Sequence, residues 1–198
     1  MNRRQLLLTA GSAAGLVALP QFTAQAEDVY SFRRTFSLED VSFDQPITYF
    51  CACLMGSDED SAMLAYENAE DTFLGSLIES LEDDGYVVVD RDEFIVHIDR
   101  FDSRDVTRTG FSFTVKSEDS VFDIYQKAIV ATRGGIVQVW ASISLDDSAR
   151  DLLDLADEYM LFSAKNESDL PDMLPDEDDM ADLGYEMTEE GDMDGQEF

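Results

Sequence analysis

Positive charge is what this chain has least of. Its 198 residues include 13 lysines and arginines against 44 aspartates and glutamates, a net charge of −31. Such a surface repels a polyphosphate backbone, so nucleic acid is excluded as an expected partner. Histidine is nearly missing: His97 stands alone, and a multi-histidine metal site within one chain is excluded with it. Cysteine occurs only at Cys51 and Cys53, without the second thiol pair or neighbouring histidine of a zinc site. No G-x-S-x-G elbow or other nucleophile signature occurs. What the chain does have is apolar material, 44% hydrophobic and 11% aromatic, which supplies a core and argues against a wholly disordered acidic chain.

The first 26 residues carry Arg3 and Arg4 and then no ionisable side chain until Glu27. An apolar stretch from Leu6 to Leu19, broken by Gly11, Ser12 and Gly15, falls short of the roughly 20 residues that span a bilayer. Ala24-Gln25-Ala26 follows as an A-x-A arrangement, so cleavage is expected after Ala26 and no membrane span is expected to remain. The run Asn2-Arg3-Arg4-Gln5-Leu6-Leu7 resembles a twin-arginine export signal, with Leu6 where phenylalanine is usual and Leu8 where lysine is common. The resemblance covers the leader alone and implies a chain exported in folded form to an extracytoplasmic or secreted location. The general secretory route is the alternative. No cysteine follows the apolar run, which disfavours a lipid anchor.

Residues 27–165 have the size of one domain and a single proline, Pro46. From Asn166 onward there are 14 acidic residues and no lysine or arginine, with Pro171 and Pro175 and glycines at 184, 191 and 195. That composition predicts a disordered acidic tail over 166–198, because like charges oppose compaction.

Within the domain, Val29 to Phe36 and Ile47 to Met55 read as strands. Ser57-Asp58-Glu59-Asp60 then caps a helix whose stripe runs Met63, Tyr66, Ala69, Phe73, Leu74, Leu77, Ile78, Leu81, with Gly85 as its end. Strands follow at Tyr86 to Asp99, broken near Asp90 to Asp92, then at Gly110 to Lys116 and Val121 to Thr132. Gly134-Gly135 makes a hairpin with Ile136 to Leu145. Along that return strand Val137, Val139, Ala141 and Ile143 share one face; Gln138, Ser142 and Ser144 share the other with Trp140. Leu152, Leu153, Leu155, Ala156, Tyr159, Met160 and Phe162 form a second helical stripe. The fold class is α+β, a twisted antiparallel sheet covered by two main amphipathic helices, with no βαβ alternation. The element order over residues 28–165 resembles small secreted modules of the PsbP/Mog1-like kind, and that resemblance implies fold without fixing function.

Four groups are candidates for chemistry. Cys51 and Cys53, two apart on a strand, share a face at about 7 Å along the pleat; they read either as small buried hydrophobes or as a soft-metal or redox pair. His97 shares a strand face with Glu93 and Asp99 and reads as an exposed strand histidine, or as a general base or pH switch. Asp176-Glu177-Asp178-Asp179 lacks the spacing of a calcium loop and reads as solvated charge. Met173, Met180, Met187 and Met193 each follow an acidic residue at spacings of seven, seven and six, a thioether pattern open to copper(I), with short linear docking through Leu170-Pro171 and Leu174-Pro175 as the alternative for the same segment. Aspartate outnumbers glutamate 28 to 16, a surface suited either to high salt or to a cationic partner. The expected function is an exported, non-enzymatic binding or accessory module, with no resident cofactor, meeting an unknown protein or small ligand at the cell surface. The alternative is a metal-binding or redox protein built on Cys51 and Cys53.

Overall fold

A computed structural model describes residues 30–38, 45–56, 58–68, 82, 86–94, 107–116, 123–147 and 149–192. The leader with Arg3, Arg4 and Ala26 lies outside these, as do His97, Met193 and the predicted helical stripe from Ala69 to Leu81.

The described elements run β1 (Tyr30–Leu38), β2 (Thr48–Met55), α1 (Glu59–Asn68), β3 (Val87–Phe94), β4 (Thr107–Lys116), β5 (Ile124–Arg133), β6 (Ile136–Ser144), α2 (Ala149–Tyr159), two short 3₁₀ turns (Glu167–Asp169 and Pro171–Met173), α3 (Glu177–Ala181) and β7 (Tyr185–Asp192). The strands form one sheet in the order β3-β4-β5-β6-β2-β1-β7, and every pairing is antiparallel. The expected α+β class with an antiparallel sheet is what the chain adopts.

Local chemistry explains the corners. Gly134 opens the β5–β6 hairpin at φ +57°, a conformation that costs a residue with a Cβ. In β3 the expected break near Asp90 is a register shift between Val89 and Asp92. Asp90 sits there at φ 52°, tolerable for a residue with a short polar side chain. Asp58 caps α1 by accepting the Ser61 amide at 2.7 Å. Those hydrogen bonds from Ser61 hold the Asp58 carboxyl below its ordinary range.

β2 and β6 lie mid-sheet and are buried on both faces, which is why β2 reads as the nearly unbroken apolar run Thr-Tyr-Phe-Cys-Ala-Cys-Leu-Met. On the first face Phe32 and Phe36 (β1), Tyr49, Cys51 and Cys53 (β2), Ile136 and Trp140 (β6), and Ile129 and Ala131 (β5) form one cluster with Leu152, Leu155, Ala156 and Met160 of and just after α2. The second face carries Phe50, Ala52, Leu54, Val130, Val137, Val139 and Ile143, all buried. There α1, which buries Ala62 and Tyr66, lies against β5 and β6. Met63, expected on the apolar stripe of α1, is instead 40% exposed. Tyr66 of the expected stripe is buried, and Ala62, four residues before it, takes the inward place expected of Met63.

The disordered acidic tail is the expectation that the structure overturns. Residues 166–192 are folded, and Leu170, Met173, Leu174, Met180 and Tyr185 belong to the same first-face cluster as Trp140. The boundary expected at 165 is a change in composition and not in packing. The physical reason is that carboxylates occupy the outside while apolar side chains recur on the inside. Burying a Leu or Met contributes about 1.5–3 kcal/mol, whereas a pair of solvated charges interacts by about 1 kcal/mol or less. We call residues 160–192 the strap.

Candidate functional site

Among the described residues a dense polar constellation lies where β1 meets the strap, and Arg34 is its centre. In the sequence Phe32-Arg33-Arg34-Thr35-Phe36, strand alternation puts Arg34 on the buried face between two phenylalanines. Its guanidinium carbon stands 5.3 Å from the centre of the Phe32 ring. Nη1 lies 3.0 Å from each of the carbonyl oxygens of Pro171, Leu174 and Pro175. On the Glu190 Oε1 oxygen converge Nε at 2.9 Å and Nη2 at 2.8 Å. A buried cation is tolerable only when its donors are filled, and here the strap fills them.

That geometry depends on a bulge in β7. Met187 faces Phe36, but Glu189 faces Thr35 and Glu190 faces Arg34, so Thr188 is the extra residue. Its hydroxyl donates to the Thr35 carbonyl at 3.2 Å. Without the added residue the inward positions after Met187 would pass to Glu189; with it, Glu190 is aimed at Arg34. Glu189 pairs instead with Arg33 at 2.6 Å, where Glu189 is half exposed.

The remaining strap contacts follow the same pattern. Cys53 Sγ lies 3.3 Å from the Leu170 carbonyl and 3.7 Å from that of Phe32. Trp140 Nε1 donates to Gln138 Oε1 at 2.8 Å, and the Gln138 amide donates to the Leu161 carbonyl. Tyr185 donates its hydroxyl to the Pro46 carbonyl at 2.7 Å and tilts against Tyr49, with ring centres 5.0 Å apart. Residues 160–184 form no sheet ladder, so their carbonyls take side-chain donors from the sheet face. Away from the strap, buried Lys127 pairs with Asp147 and ties β5 to the approach of α2.

The strap also orders itself. Asn166 and Asp169 form a capping box on the first 3₁₀ turn, and Asp176 and Asp179 form another on α3. The run Asp176 to Asp179 is thus the cap and first turn of a helix, where acids favour the helix dipole. Met173 and Met180 are fully buried and Met187 packs partly against the cluster, so the three described methionines of that spacing are core contacts.

Cys51 and Cys53 share the first face, as the strand spacing required, and both are free thiols buried beneath the strap. Burial pushes the Cys53 thiol up to about 12, only partly offset by the Phe32 carbonyl contact and Arg34. Cys51 is pushed up further, by burial first and then by Cys53. Both are therefore protonated at neutral pH, whereas nucleophilic attack and soft-metal ligation require thiolates. Among the described residues no group of three or more His, Cys, Asp or Glu is placed to hold a metal ion.

Arg34 was not among the sequence candidates. The available signal was its parity, an arginine in step with Phe32 and Phe36 on an otherwise apolar strand face. When compared with known proteins, the chain matches no family model, no curated protein and no solved structure.

Proposed function

We propose that this chain is an exported, non-enzymatic binding or accessory module that meets its partner through its acidic outer surface. The observation that supports this reading is the destination of the polar groups of the first-face cluster: Arg34, Gln138, Trp140, Cys53 and Tyr185 all end on main-chain or side-chain atoms of the fold itself. The interior serves architecture, and recognition falls to the outside, where Glu186 and Asp192 stand exposed on the β7 edge. Charges on an edge strand also discourage unwanted strand pairing, so a partner there is expected to be cationic. Among the described residues no helix is long and apolar enough to cross a membrane.

Two measurements on protein recovered from its own host test the reading. N-terminal sequencing of the extracytoplasmic fraction is expected to begin at Glu27. Photo-crosslinkers at Glu186 and Asp192 are expected to trap one cationic partner, and crosslinkers on the β3 edge are expected not to. Retention in the cytoplasm with an intact leader, or turnover of a substrate by the purified chain, would overturn it.

A further inference from the structure

The strap is the layer that covers Cys51 and Cys53 on the first face. Three features make it a unit that can lift without unfolding the sheet. Its turns are closed by their own capping boxes. Its anchors over 160–184 are side-chain donors from β1, β2 and β6, with no ladder to break. Its one ladder, β7 on β1, lies at the sheet edge and is interrupted by a bulge. Contiguous segments of this kind open at lower free energy than a central sheet.

Charge sets the direction in which the strap responds to its surroundings. The strap carries 12 carboxylates against one cation, Lys165, and the body answers β7 with two arginine pairs. Tyr159, in the last turn of α2, reports the field at the seam with α3: its hydroxyl is pushed up by burial first and then by Glu158, Asp179, Asp182 and Asp176. Salt screens exposed repulsions and exposed attractions alike, but repulsions are the more numerous here, and the buried contacts of Arg34 are screened least.

We infer that the strap is a salt-sensitive cover over the thiol pair, held shut by its buried apolar side chains and by Arg34, whose transient openings become more frequent as salt is withdrawn and its own repulsion is unscreened, exposing Cys53 before Cys51. Cys53 leads because its Sγ touches the strap backbone at Leu170, whereas Cys51 Sγ donates within the sheet to the Arg34 carbonyl at 3.7 Å.

Alkylation of the full chain with N-ethylmaleimide tests this, alongside amide exchange of β5 and β6. Lowering NaCl from about 1 M to about 10 mM is expected to raise the alkylation rate at least tenfold, with Cys53 ahead and the β5–β6 amides still protected. Arg34→Lys is expected to raise the rate at every salt concentration. Asp182→Asn, which removes a seam charge from an exposed cap and leaves the core intact, is expected to slow alkylation at low salt. Alkylation indifferent to salt, alkylation no faster than β5–β6 exchange, or a low-salt rate unchanged in Asp182→Asn would each overturn the inference.

Discussion

The sheet centre and the strap are buried to the same depth by different means. β5 and β6 are each laddered on both sides and packed on both faces, so no single side chain carries their pairing. In the strap, Leu170, Met173 and Met180 are as buried as Ile129 and Val139, but the backbone over 160–184 closes its own turns and is tied to the sheet by donors from Arg34, Gln138 and Cys53. Burial therefore does not measure how a segment is held. A ladder spreads the load over many equivalent bonds, while a clamp concentrates it in a few side chains, and the two regions should break differently.

The largest expected effect comes from the centre. Trp140→Ala removes the largest fully buried side chain and leaves Gln138 Oε1 without its donor, so it should cost about 3–5 kcal/mol. Denaturant unfolding followed by circular dichroism should show sheet and strap lost together; a loss below about 1 kcal/mol would remove Trp140 from the centre of the account. Arg34→Met should cost about 2–3 kcal/mol, because three carbonyls and Glu190 lose a shared donor. In this variant amide exchange should rise across 167–192 and stay low in β5 and β6. Equal loosening in both regions would erase the distinction between clamp and ladder.

A smaller effect is expected on the alkaline side. Cys53 has a folded value of about 12 against an ordinary 9.0. A thiol raised by folding contributes its full stability below pH 9 and loses it as pH climbs toward 12, because the unfolded chain ionises first. The loss should be on the order of 1 kcal/mol by pH 10. Urea midpoints of the wild type and Cys53→Ala, followed from pH 7 to 10, should converge as pH rises; parallel curves would mean that Cys53 is not a buried neutral thiol. Smallest of all is Glu189→Ala, which removes a half-exposed partner of Arg33 and should shift stability by less than about 1 kcal/mol. A larger shift would mean that surface pairing carries the strap.

Much of the sheet was legible because its signals are local. The Gly134-Gly135 hairpin, the break at Asp90 and the α2 stripe each follow from a few neighbouring residues. The strap was not, because composition averages over the two sides of a segment. Fourteen carboxylates set the mean, while Leu170, Met173, Leu174, Met180 and Tyr185 do the packing. The prolines, read as marks of a solvated tail, in fact shape it: Pro171 opens a 3₁₀ turn and Pro175 stands just before the Asp176 cap of α3. Arg34 was hidden for the opposite reason. Its parity on β1 was readable, but its partners lie more than 130 residues away along the chain, and no local pattern announces a contact of that range.

Hydrogen–deuterium exchange of the full chain, resolved over peptides covering 167–192, tests the central claim that this acidic segment is a layer of the fold. The account predicts slow exchange at the amides of β7 that pair with β1 and at those closing the turns, Leu170, Met173 and Met180 among them. Exchange throughout 167–192 at the rate of an unstructured peptide, with β5 and β6 protected, would contradict it.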